Sequence, residues 1–598
     1  VSRLRRILPI IIALIFVVSL AVPVVQSSSA PSIASAKKTK LKFEFLSLPW
    51  FPESDKAAEI VAKELQAIGI KMDLVRQESS IMYPRIMNTH NYDSFALAVS
   101  QDPDATGMLL AFHSSNAVPG GSNYWMYVNP QVDKLIDEAL TETNHDKLRQ
   151  IAWQIQEILS SGPFIPIYLA DDIHVLRAEW KNYTIMPGGV IEAYNIWSMI
   201  YMYKEGAKGQ MVFRIAFPSD VLSTNPLMAT DFRSLWILNL IYDPLVRINP
   251  SLKVVPWLAK SWDVSSDGKT YTFHLVENAK WHDGQPFTAD DVVFSFNYAA
   301  KNKAPRYADV LKLIDKVEKV DDHTVKFVLK KPSPFFLIKL AVGSVYIVPK
   351  HIWEGKPIDW SNPKPIGTGP FKFQERVQGE KIVLVRNDDW WYHSKPNINT
   401  IVMVVIPNAE TRFLAIKRGE VDTERYSTSA TLIPEIKKDP NLKLITAPGI
   451  WLIYIAFNYQ RISDPAVFRA INYAINRTEI VQKVVGGYGI PVYTVLNKVW
   501  HGDLANPNIK FEYNPEKAKQ ILEAAGWKDI DGDGIREYVG AASTTTTSST
   551  TTTSSTSTPI SVGTSTVTVT RTVGVTSTVV STTTKTVEKG ASTAGLWA

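Results

Sequence analysis

Carboxylates are the residues of this chain whose spacing most suggests chemistry. In Asp529-Ile-Asp531-Gly-Asp533-Gly534-Ile-Arg-Glu537 they stand at positions one, three, five and nine of a loop with glycine at six. Hard oxygen donors surround calcium in that order. Position twelve is Gly540, so the glutamate that usually completes such a loop is missing, and a solvated Asp-Gly turn remains the alternative to a structural calcium site. Nothing comparable points to catalysis. His90 and His113 lack the spacing of zinc ligands, His282-Asp283 has no nucleophile beside it in sequence, and no serine elbow is present. Gly367-Thr-Gly369-Pro-Phe371 has the glycines of a phosphate loop without its lysine. The chain contains no cysteine, which removes thiolate metal sites and cysteine nucleophiles. The expectation is a protein that binds and does not catalyse, needing no cofactor, with calcium as an optional ion.

The elements that must position these residues follow an α/β pattern. Leu41, Phe43 and Phe45 alternate as in a half-buried strand, a helix opens at Ser54 with Ile60, Val61, Leu65 and Ile68 inward, and Gly69 ends it before Ile70, Met72 and Leu74 alternate again. Thr288 with Asp291 three residues on forms a capping box at another helix start, and Asn514-Pro515 opens a third helix that Gly526 stops.

The ends differ from this middle. Arg3, Arg5 and Arg6 precede an apolar run from Ile7 to Val25 and the small-residue site Ala34-Ser35-Ala36, which reads as a secretion signal over residues 1–36, or as an uncleaved anchor. From Ala541 serine and threonine dominate, too little apolar surface to repay chain entropy, so residues 541–598 read as a stalk leading to a membrane anchor that begins at Gly595-Leu-Trp-Ala598. A net charge of +6 with dispersed Lys and Arg gives no case for nucleic acid.

Long stretches resemble one family. AKSWDVSSDGKTYTFHLVENAKWHDGQPFTADDVVFSF (259–296), PIGTGPFKF (365–373), ETRFLAIKRGEVD (410–422) and FNYQRISDPAVFRAINYAINRTEI (457–480) are similar to solute-binding proteins of family 5, the peptide-, nickel- and oligosaccharide-binding receptors of ABC importers. In that family the GWKDIDGDGIRE element (526–537) is normally followed by the kind of segment found here upstream, as LKFEFLSLP, AAEIVAKELQAIGIKMDLV and YDSFALAVSQDPD. The resemblance therefore implies a circularly permuted chain, with the family's original ends joined near Tyr203 to Gln210. A neighbouring pair of surface ends makes such rotation inexpensive.

The fold so implied is a two-lobed, type II periplasmic-binding-protein fold with the ligand cleft between lobes: 176–397 forms the first lobe, 37–175 with 398–540 the second, and crossovers near 175 and 397 form the hinge. The resemblance places Trp451, Tyr454 and Asn458 on a strand leading through the cleft, with Ser100 and Gln101 just before the DPD segment, Asp102 as its first residue, and Tyr124, Trp125 and Trp500 as further candidates. Peptide-binding relatives carry an aspartate shortly before that segment for the ligand's ammonium; Val99 falls at this position, although a register shift brings Asp102 closer. The expected ligand is thus a neutral oligosaccharide stacked on Trp451, with an oligopeptide as the alternative. The expected setting is a membrane-tethered, monomeric receptor outside the cell that serves an ABC permease, resembling archaeal surface binding proteins. A surface-layer or adhesion protein on the same fold is the competing reading.

Overall fold

The computed structural model describes residues 39–190, 195–342 and 345–540. The signal segment, the Ser/Thr tail and its expected anchor lie outside these residues. Among the described residues no helix is long and apolar enough to cross a membrane.

An 11-stranded sheet organises the chain. Its strands in sequence are β1 (Lys42–Ser47), β2 (Lys71–Arg76), β3 (Ser94–Ser100), β4 (Phe164–Arg177), β5 (Val212–Phe217), β6 (Phe371–Val377), β7 (Lys381–Arg386), β8 (Thr400–Val405), β9 (Thr423–Glu424), β10 (Leu442–Phe457) and β11 (Gly489–Pro491). In space they run β6-β7-β8-β5-β9-β4-β10-β3-β1-β2, with β11 on β4. The upstream strands β1 to β4 are therefore in one sheet with strands from beyond residue 210, and residues 40–205 are not a separate layer. A four-stranded antiparallel sheet, Ala259–Val264, Thr270–Leu275, Thr324–Leu329 and Ile314–Asp321, stands apart.

The helices used below are α1 (Pro52–Gln66), α2 (Thr106–Leu110), α3 (Ala289–Lys301), α4 (Phe336–Val342), α5 (Lys498–His501) and α6 (Pro515–Ala524). Helix α1 starts two residues before Ser54, because Pro52 supplies a preset φ and no orphan N–H, and Glu53 and Asp55 suit the positive end of the helix. The capping box of α3 forms as the sequence predicts, and Asn514 caps α6 by accepting from the Lys517 N–H at 2.8 Å.

Burial falls into distinct cores. The largest comprises Leu176 to Met403 with Ile445. Two others lie on opposite faces of β10: Leu452, Tyr454 and Ala456 point into one, Ile453, Ile455 and Phe457 into the other, as the two-residue period of a strand requires. Strands β4 and β10 are long and antiparallel and run between these regions and the large core, past a small core holding Val175, Phe413 and Leu442. Ile398, Ile401 and Met403 pack in the large core, and β8 pairs in parallel with β5.

Candidate functional site

Strand β3 delivers the chain to the site. At its end the Gln101 N–H donates to Ile450 O at 2.7 Å. Asp102 and Asp104 then fold the backbone on themselves: the Asp104 N–H donates to Asp102 Oδ1 at 2.7 Å, and the Thr106 N–H to Asp104 Oδ1 at 3.0 Å, opening α2. Lys339 of α4 approaches from the large core, donating to Asp104 Oδ2 at 2.6 Å and Thr106 Oγ1 at 2.5 Å.

A cavity of about 280 Å³ lies behind this turn. Asp102, Gln101, Ser100, Tyr124, Trp125 and Tyr454 line it, together with Val99, Asp104, Met108, Phe164 and His501. Its wall is a packed aromatic group: Tyr454 stacks on Phe164 at 4.4 Å between ring centroids, and Trp125 meets Phe164 at 4.9 Å and Phe112 at 4.7 Å. Wider hollows around Gln66 and Arg536 and around Lys280 and Asp389 carry only exposed carboxylates.

Asp102 differs from those. Lack of water around it pushes its carboxyl up to about 7, and the neighbouring Asp104 charge adds to the effect. Lys339 is already engaged by Asp104, and among the described residues no cation pairs with Asp102. The cavity therefore presents a recessed carboxylate that makes no ion pair among the described residues, beside an aromatic wall.

Of the sequence candidates, Ser100, Gln101, Asp102, Tyr124, Trp125 and Tyr454 are brought together here, and Trp451, Asn458 and Trp500 are not. Trp451 is 40% exposed and packs against Phe51 at 6.3 Å; alternation along β10 puts it on the face opposite Tyr454. Asn458 is consumed structurally, donating to His90 O at 2.9 Å and Tyr92 O at 3.3 Å and accepting from the Gln460 N–H at 3.0 Å. Buried Trp500 donates its indole N–H to Gly449 O at 3.0 Å. Gln101 lines the cavity with its amide committed, accepting from Asn497 Nδ2 at 2.9 Å. Asp104, Phe164 and His501 were missed. For His501 the sequence has no signal, since it lies some four hundred residues from β3 on the short helix α5.

The calcium reading meets a direct obstacle. Oxygens of Asp529, Asp531 and Asp533 lie within 4.8 Å of one another, but the Lys40 ammonium sits among the acidic groups, 3.0 Å from Asp531, 2.7 Å from Asp533 and 2.6 Å from Glu537. These carboxylates raise the Lys40 pKa well above its usual value. Both Asp529 oxygens accept backbone N–H groups, from Gly532 and Gly534. The loop does not fit calcium while Lys40 is in place.

His282 is structural. The Gly367 N–H donates to Nδ1 at 3.3 Å, Nε2 meets Gly369 O at 3.0 Å, and burial lowers its pKa to about 4.

Residues 253–590 match the family described as bacterial extracellular solute-binding proteins, family 5 Middle. The chain belongs to this family of solute-binding proteins. It is 35% identical over 314 residues to the dipeptide-binding protein of Escherichia coli K12, covering 48% of this chain and 58% of that protein. It is likewise 35% identical over 324 residues to the oligopeptide-binding protein AppA of Bacillus subtilis 168, covering 52% and 58%. Among solved structures, HbpA2 from Haemophilus parasuis matches with a TM-score of 0.47 and 30% identity over 52% of this chain and 66% of that one. The chain thus spans somewhat over half the length of the curated relatives it matches.

Proposed function

We propose that this protein is the receptor of an ABC importer and captures an oligopeptide by its N-terminal ammonium, which Asp102 neutralises. The observation that carries this reading is the recessed Asp102 carboxylate, which feels the Lys339 charge but, among the described residues, forms no ion pair because Lys339 is bound to Asp104. A buried charge is costly until paired, so a ligand ammonium gains there what a neutral ligand cannot. The aromatic wall suits the apolar part of such a ligand, and the names of the relatives, dipeptide- and oligopeptide-binding, agree. The neutral oligosaccharide expected from Val99 loses its support, because Trp451 is turned away and the amide groups of Gln101 and Asn458 are spent within the protein.

The reading extends to a monomeric receptor tethered outside the cell, and to a rotated chain. Rotation is supported by the meeting of the two ends of the folded unit: the Tyr538 N–H donates to Thr39 O at 2.8 Å and the Leu41 N–H to Arg536 O at 2.8 Å. The segment from Tyr203 to Gln210 is exposed except at Lys204, which is partly covered. Calorimetric titration with tetrapeptides, free or acetylated at the N-terminus, tests the ligand class. Free peptides should bind in the micromolar range, on the order of 8 kcal/mol; acetylation or Asp102→Asn should weaken them at least tenfold. Equal binding of acetylated peptides, or binding of sugars alone, overturns the reading. Absence of any small ligand favours the adhesion alternative.

A further inference from the structure

His501 is 6% exposed and lines the same cavity as Asp102. Its Nδ1 accepts the Asn497 backbone N–H at 3.1 Å, a bond made at the first turn of its own helix α5. An accepting Nδ1 carries no proton, so in the neutral ring the proton is on Nε2. Among the described residues Nε2 has no hydrogen-bond partner, and the edge of the ring that bears it is turned away from Asn497. Burial lowers the pKa of this histidine to about 4, and the charged groups near it are Asp104, Lys339 and Asp102. The ring therefore stays neutral through the working range and offers a donor without a charge that would repel a cation.

We propose that His501 is a specificity-determining residue: its Nε2–H donates to a carbonyl oxygen of the ligand while Asp102 holds the adjacent ammonium, so the cavity reads an α-aminoacyl group and not a bare amine. This rests on the peptide reading above. The amine and carbonyl of an aminoacyl group are two bonds apart through one carbon, so recognising both takes an acceptor and a donor in one small enclosure. Asp102 and His501 are such a pair. The other polar lining groups offer less, since Gln101 is bonded to Asn497 and Asp104 to Lys339 and Thr106. A ligand lacking the carbonyl would displace water from the imidazole N–H without replacing its hydrogen bond, the situation in which a missing hydrogen bond costs most.

The test uses the purified exported chain and a pool of tetrapeptides with free N-termini, followed by resynthesis of the tightest member with its first carbonyl oxygen replaced by sulfur, a weaker acceptor. Wild type should prefer the oxygen form by about tenfold. His501→Leu should bind the oxygen form about tenfold more weakly and show no preference, and His501→Gln, which keeps a donor, should retain most of both. If His501→Leu keeps wild-type affinity and preference while Asp102→Asn abolishes binding, the inference fails and the peptide reading stands. If wild type binds no member of the pool, both fall. Should His501→Leu not fold, the wild-type comparison decides, since equal binding of the two forms overturns the inference.

Discussion

The protein around Asp102 pushes its carboxyl up to about 7, against about 4 in an unfolded chain. The folded state thus keeps a proton that the unfolded state has lost, so this contribution to stability is fully present below about pH 4 and disappears as pH rises through 7. It amounts to on the order of 2 kcal/mol once partial exposure is allowed for. Without ligand, stability measured in urea should fall between about pH 4 and 7, and Asp102→Asn should fall less; Glu64, also raised to about 7 by burial, supplies a share common to both. Ligand binding should run the other way. A peptide ammonium needs the ionised carboxylate, so affinity should rise almost tenfold per unit between pH 5 and 6.5, and a flat calorimetric profile would exclude Asp102 as the partner. Asp102 was legible because it belongs to a local motif, whereas Tyr124 and Trp125, which line the same cavity, were offered on aromatic character alone. Trp451 and Tyr454 show the limit: three positions apart on a strand, they lie on opposite faces, so a period-2 count allowed only one of them into the cavity. His501 was illegible because its place depends on the packing of α5 against a turn distant in sequence.

Elements meet at two lysines whose partners the sequence could not supply. Lys40, just before β1, provides the positive charge that the acidic loop suggested would come from calcium. The loop motif was legible; its counter-charge, some five hundred residues away, was not. Millimolar calcium should leave the melting temperature of chelator-stripped wild type unchanged, whereas Lys40→Met, with the acidic groups left uncompensated, should gain several degrees by mass action. A wild-type shift of that size would mean that Lys40 yields to the ion. Lys339 belongs to α4, whose Phe336 and Leu340 are in the large core, and it ties that core to Asp104 beside the cavity. Both partners are mostly buried, so Lys339→Met should cost about 2 kcal/mol in urea unfolding. Lys339→Arg should recover part of that. An unchanged midpoint in Lys339→Met would show that the pair contributes nothing.

At the scale of the whole molecule, the family segments were readable because each is long and distinctive, and the proposed rotation rests on the order in which the same match places them. What sequence could not say is whether the upstream part stands alone. The sheet answers that: β3 pairs with β10 from Trp451↔Ser100 to Phe457↔Ser94, and β4 with β10 over most of its length. Residues 40–205 expressed alone would leave those edges and the apolar faces of Phe95, Leu169 and Ile165 open, and should give no cooperative unfolding transition. The converse experiment tests the rotation itself. Lys40 bridges to Glu537, and a side chain at Gly69 would collide with the stem of Arg536, which lies 2.6 Å from where its Cβ would be; the start and finish of the folded unit are thus packed as one surface. A chain reordered to run from Gln210 to Gly540 and on through Thr39 to Glu205 closes this contact covalently and opens only the exposed Gly206 to Gly209 stretch. Apart from new strain at the Gly540–Thr39 link, it keeps every core described above. It should therefore unfold in one transition within about 1–2 kcal/mol of the natural order, as expected when only a surface connection is changed. Loss of cooperative unfolding in the reordered chain would show that the present order is needed to build the sheet.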